Sequence, residues 1–85
     1  NVNDVLTTGA DPIMFLDYVG IPKIQKTQIT RIIAGMTEYL EACNCILAGG
    51  ETAETPGMVP EGMVELSGFA IGACVKEDLL DPGTI

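Results

Sequence analysis

A chain of 85 residues and 8.9 kDa has room for one small domain and excludes a second, since independently folding units run to roughly 100–150 residues. Twelve acids against four bases, with no histidine, give a net charge of −8; no basic stripe exists to bind nucleic acid, anionic membrane surfaces are disfavoured, and no apolar run approaches the ~20 residues of a bilayer span. At 47% hydrophobic residues and a mean hydropathy of +0.34, the chain is too apolar for disorder and carries more apolar surface than a lone domain of this size hides, which points to a piece of something larger.

In chain order, Asn1-Val2-Asn3-Asp4 has neither the basic start nor the apolar core of a signal peptide. Val2, Val5, Leu6 and Ala10 recur at helical intervals and predict a short helix, with Gly9 as its left-handed cap. After Pro12, the run Ile13-Met14-Phe15-Leu16 predicts a strand over residues 13–18, buried on both faces. Gly20 and Pro22 mark a turn beyond it. Ile29, Ile32, Ile33, Met36, Leu40 and Cys43 form one stripe and predict an amphipathic helix over residues 27–43, laid on a sheet. Thr27 is its expected N-cap and Asn44 its expected positive-φ terminator. Cys45-Ile46-Leu47-Ala48 predicts a second buried strand, parallel to the first through a right-handed crossover if the two share a sheet.

Residues 64–75 predict one long strand, with Leu66, Gly68, Ala70, Gly72 and Cys74 on one face. So small a face implies a bend or bulge, or the close approach of another backbone, a partner's sheet or a ligand. Residues 76–83 close in polar and turn residues, Pro82-Gly83 last. An odd set of cysteines, Cys43, Cys45 and Cys74, lacks histidine company and metal-ligand spacing; they read as buried small hydrophobes in a reducing, cytoplasmic compartment. The fold class is α/β, a small sheet with helices on one face.

Without histidine, the usual neutral-pH acid–base group and any triad built on it are missing. Carboxylates and glycines remain. The stretch Gly49-Gly50-Glu51-Thr52-Ala53-Glu54-Thr55-Pro56-Gly57 reads as a loop directly after a buried strand, where open α/β sheets place ligands. Its glycines permit close approach, yet Glu51 and Glu54 repel a bare phosphate and no base lies between Arg31 and Lys76. A divalent cation such as Mg²⁺, bridging carboxylates to nucleotide phosphates, resolves that conflict; the alternative is a solvated acidic loop in which Thr52 and Thr55 cap local turns. Asn3-Asp4 is a second candidate, set against a mere helix-dipole role for Asp4. Asp17, at the end of the first strand, is a third, since a charge there is costly unless paired or exposed.

Asn3-Asp4, Gly9-Ala10-Asp11-Pro12, Phe15-Leu16-Asp17-Tyr18, Gly49-Gly50-Glu51-Thr52-Ala53-Glu54, Pro56-Gly57-Met58 and Gly68-Phe69-Ala70 resemble, in order and spacing, the aminoimidazole ribonucleotide synthetase family, also called phosphoribosylformylglycinamidine cyclo-ligase. The resemblance covers essentially all 85 residues, and family members are several times longer. It implies an interior slice, residues 1–85, of the family's N-terminal ATP-binding domain, with ATP and Mg²⁺ as cofactors. It also implies formylglycinamidine ribonucleotide as substrate and ATP-driven closure of its imidazole ring. Carried over residue by residue, Asp4 and Glu51 look like Mg²⁺–nucleotide ligands, with Asn3, Gly49, Gly50 and Thr52 shaping the nucleotide site. Glu54 would support them, and Asp17 is a candidate for arranging substrate.

Two departures stand out: Thr55 where the family usually has methionine, and Ile21-Pro22-Lys23 in place of a Thr-Gly-Lys turn. The family's Asp-Gly-Val-Gly-Thr-Lys type motif lies outside these residues, so catalysis by them alone is not expected. The resemblance further implies a homodimer whose sheets pair into a barrel. Two other readings compete: a sister ATP-binding synthetase, of the formylglycinamidine ribonucleotide synthetase or selenophosphate synthetase type, and a non-catalytic dimerisation module. The glutamate after the glycines disfavours the sisters, which tend to carry aspartate or asparagine there.

Overall fold

A computed structural model describes residues 1–81 and 83. The elements are α1 (Val2–Leu6), β1 (Asp11–Ile21), α2 (Lys26–Ala42), β2 (Ile46–Glu54), β3 (Glu65–Ala73) and a 3₁₀ turn (Lys76–Asp78). One three-stranded sheet has the order β2-β1-β3, with β2 parallel and β3 antiparallel to β1. The strand–helix–strand unit is therefore the parallel pair expected of its connection length. Asn44 terminates α2 as expected, at φ +56°, whereas α1 ends earlier than expected, with Thr7 as its C-cap, and Gly9 takes its φ of +83° in the turn that follows. The start of α2 differs: its N-cap is Gln25, which makes no side-chain capping bond, and Thr27 lies inside the first turn.

Both helices cover the same face of the sheet. Phe15 on β1 is buried with Val2 of α1, Leu40 of α2 and Cys45, and Cys43, Leu47 and Ala70 pack around that cluster. Burial raises the Cys45 thiol above its ordinary pKa and the neighbouring Cys43 adds to the shift, so Cys45 packs as an apolar group. Cys74 corrects the expectation for the cysteines: it lies just past the end of β3, where no ladder encloses it, and is exposed.

The expectation that the first strand is buried on both faces also fails. Leu16 and its cross-strand neighbour Phe69 are 37% and 63% exposed, and Ile46 and Ile71 lie open as well. The helices reach only the other face. The radius of gyration is 15.8 Å, against ~12 Å for a compact chain of this length. The accessible surface is 6106 Å², against about 4,800 Å² for a monomer of this mass. Roughly 1,300 Å² more surface meets solvent than a self-sufficient domain shows.

The small face of β3 is filled from within the chain. A Cβ on Gly68 would strike the Phe15 ring and lie 2.8 Å from Asn1 Oδ1; one on Gly72 would strike Val5 and lie 2.7 Å from the Asp11 carbonyl oxygen. The glycines thus admit α1 and Phe15, and opposite Gly72 the β1 register slips between Pro12 and Met14, a bulge. Pro82 of the expected closing turn lies outside the described residues. Among those residues no helix is long and apolar enough to cross a membrane.

Candidate functional site

The Gly-Gly-Glu-Thr stretch is strand, not loop. β1 continues to Ile21 and offers a parallel partner to every residue from Gly49 to Glu54, so the ladder runs through the glycines. The register jumps between Phe15 paired with Leu47 and Leu16 paired with Gly49, leaving Ala48 as the extra residue of a bulge. The two glycines have different reasons. A Cβ on Gly49 would make an ordinary contact, 3.5 Å from Leu16 Cδ2, whereas Gly50 sits at φ +154° and a Cβ there would collide with the Asp17 carboxylate and carbonyl oxygen. Asp17 itself is in the middle of β1, paired with Gly50 on one side and Gly68 on the other, rather than at a strand end.

This geometry brings five of the expected site residues together. Asp17, Gly49, Gly50, Glu51 and Thr52 line a cavity of about 350 Å³ together with Ile33 of α2. The Asn3-Asp4 pair is placed elsewhere. Asp4 lines a cavity of about 340 Å³ with Asn1, Thr8, Gly68 and Gly72 beside β3, and Asn3 lines one of about 420 Å³ with Phe15, Gly35, Met36 and Tyr39 between the helices. Asp4 and Glu51 therefore stand on opposite sides of β1 and share no cavity. Among the described residues no group of three or more histidine, cysteine, aspartate or glutamate side chains is placed to hold a metal.

Two long-range contacts escaped the sequence. The Asn1 amide donates to the Gly68 carbonyl oxygen at 3.2 Å, tying the start of α1 to β3. Glu54 accepts from the Ile24 N–H at 2.8 Å, so it fixes the turn before α2 instead of facing the Glu51 site. Both contacts span long sequence separations, and no local pattern announces them. Thr55, a turn cap in the alternative loop reading, binds at longer range: its backbone N–H and its hydroxyl both donate to the Ile21 carbonyl oxygen, at 2.8 and 3.4 Å, while its own carbonyl oxygen accepts from the Met58 N–H.

The family model described as AIR synthase related protein, N-terminal domain, matches residues 1–74. The chain belongs to that family. Among curated relatives of this AIR synthase related domain, the phosphoribosylformylglycinamidine cyclo-ligase of Exiguobacterium sp. is 50% identical over 84 residues, 99% of this chain and 24% of the relative. Proteins of the same name from Burkholderia cenocepacia and Desulfitobacterium hafniense are 44% and 42% identical, over 100% and 99% of this chain and 24% and 25% of the relatives. The AIR synthase related chain thus spans about a quarter of the length of the curated relatives it matches. In fold it is similar to a solved thiamine monophosphate kinase from Aquifex aeolicus, with a TM-score of 0.72 at 23% identity over 94% of this chain and 25% of that one. That likeness establishes the mixed α/β architecture of the AIR synthase related domain.

Proposed function

We propose that the protein carrying this chain is a phosphoribosylformylglycinamidine cyclo-ligase, which uses ATP to close the imidazole ring of formylglycinamidine ribonucleotide and forms aminoimidazole ribonucleotide. The observation that carries this reading is the 42–50% identity, over 99–100% of the chain, to relatives that bear that one name. In the reaction, the substrate's amide oxygen takes the γ-phosphoryl group of ATP and ADP leaves; an internal nitrogen then attacks the activated carbon and loses a proton, and the carbon–oxygen bond breaks to release inorganic phosphate.

The donor chemistry of the chain suits Mg²⁺–ATP. Asp4 and Glu51 are exposed carboxylates, hard oxygen donors whose side chains make no hydrogen bond among the described residues. When bound, Mg²⁺ would neutralise charge on the phosphates. Because Asp4 and Glu51 line separate cavities, each would hold its own part of the metal–nucleotide assembly, the remaining donors coming from the nucleotide and from residues other than these. Thr52 and the backbone at Gly49 and Gly50 would position the phosphate chain beside Glu51.

The homodimer belongs to the same proposal. The bare face carrying Leu16, Ile46, Phe69 and Ile71 and the surplus of roughly 1,300 Å² support pairing with a second copy, since a standard interface buries ~800 Å² per partner.

Steady-state kinetics of the full-length protein across Mg²⁺ and ATP concentrations test the site. Asp4→Asn and Glu51→Gln should each cut kcat/KM by about a hundredfold or more, the scale of losing one electrostatic contact to developing charge, with unchanged thermal melts. Glu38→Gln, on the exposed face of α2, is the control and should leave both unchanged. Near-normal turnover in both charge-deleted variants would sink the assignment.

A further inference from the structure

We propose that Asp17 is the acceptor for the hydroxyls of a ribose ring, bound in the cavity between β1, β2 and α2. Of the chain's twelve acids, Asp17 alone is not exposed, and its carboxylate has no hydrogen-bond partner among the described residues. A carboxylate drawn partly out of water with no donor is unfavourable. The backbone nevertheless makes room for it: both cross-strand neighbours are glycines, Gly50 and Gly68, and any side chain at position 50 would collide with the carboxylate. Among the described residues no lysine or arginine lines the cavity, which leaves Asp17 open to a donor from a ligand.

The lining selects the kind of ligand. Ile33 and Leu47 supply apolar lining beside Asp17, Thr52 and the Gly49–Glu51 backbone, in about 350 Å³. A sugar ring fits that division, its C–H face against aliphatic carbons and its hydroxyls donating to the acid, as acids do to ribose in other nucleotide sites. Direct metal ligation suits Asp17 less well, since Glu51, which would hold the cation beside the phosphates, is the only other acidic residue lining the cavity and no three-ligand group forms among the described residues.

This inference rests on the nucleotide reading of the site. ATP and the substrate ribonucleotide both carry ribose, and the experiment separates them. The full-length protein is titrated calorimetrically with ATP against 2′-deoxy-ATP, and separately with formylglycinamidine ribonucleotide against its 2′-deoxy analogue. Wild type should prefer the ribo form in one pair by about tenfold or more, the range of a charge-assisted hydrogen bond. That preference should collapse to near unity in Asp17→Ala and fall in Asp17→Asn, with the other pair unmoved. Gly50→Ala, which pushes the carboxylate aside, should reproduce the loss. If Asp17→Ala does not fold, the near-isosteric Asp17→Asn and Gly50→Ala decide the matter.

A ribo preference that persists in all variants that melt normally would overturn the proposal. So would loss of Mn²⁺ binding in Asp17→Asn with the preference intact, which would make Asp17 a metal ligand. If wild type binds neither nucleotide, the proposed function falls and this inference with it; if it binds them with a ratio that ignores Asp17, this inference alone falls.

Discussion

Gly68→Ala should destabilise the domain although it adds a single methyl group. The new Cβ would strike the Phe15 ring and sit 2.8 Å from both Phe15 Cε2 and Asn1 Oδ1, well inside the ~3.5–4.0 Å of a favourable contact. Phe15 cannot step aside freely, because it is 9% exposed and held by Val2 and Leu40. Overpacking of this kind costs about 1–3 kcal/mol. Against it stands the ~0.4–1 kcal/mol that alanine contributes by restricting the unfolded chain. The net loss is about 1–2 kcal/mol. Urea unfolding of the full-length protein should show a lower midpoint with an unchanged slope, and adding Phe15→Leu should recover part of the loss, a coupling expected of residues in contact. A midpoint equal to or above wild type would refute the reasoning that β3 carries glycine to admit Phe15.

Phe69→Asp should turn a dimer into a monomer in analytical ultracentrifugation while costing little in folding, within about 0.5 kcal/mol, because Phe69 is 63% exposed in the single chain; an unchanged sedimentation coefficient would count against pairing through the bare face. Glu54→Ala should cost about 1 kcal/mol in a urea melt by removing the acceptor of the Ile24 N–H, and Glu54→Gln, which keeps an acceptor, should cost less; equal losses in the two would show that the hydrogen bond is not what matters.

The fold was legible wherever a local pattern sufficed. The Ile29 to Cys43 stripe located α2 to within a residue at each end, and the connection from the first strand to the second fixed their parallel pairing. Asn44 marked the end of α2, and Gly9 the turn after α1, because positive φ is a local requirement. What could not be read depended on pairing. Two glycines after an apolar run look like a loop until β1, itself extended to Ile21, supplies a ladder for them. Likewise β1 reads as buried on both faces from its apolar run, and only the placement of both helices on the Phe15 side shows Leu16 left bare.

The site divides in the same way. The block from Gly49 to Thr52 was found as a unit, and the structure adds Asp17 to it through the β1–β2 ladder. Asp4 was recognisable by its motif, but its separation from Glu51 comes from strand order, which residue spacing does not encode.

The most direct measurement is of product. Purified full-length protein is incubated with formylglycinamidine ribonucleotide, ATP and Mg²⁺, and aminoimidazole ribonucleotide is monitored by mass spectrometry beside the release of inorganic phosphate. Expected is one phosphate per imidazole ring closed, with both signals absent when ATP or Mg²⁺ is withheld. Phosphate release without ring closure, or ring closure that does not need ATP, would contradict the cyclo-ligase reading.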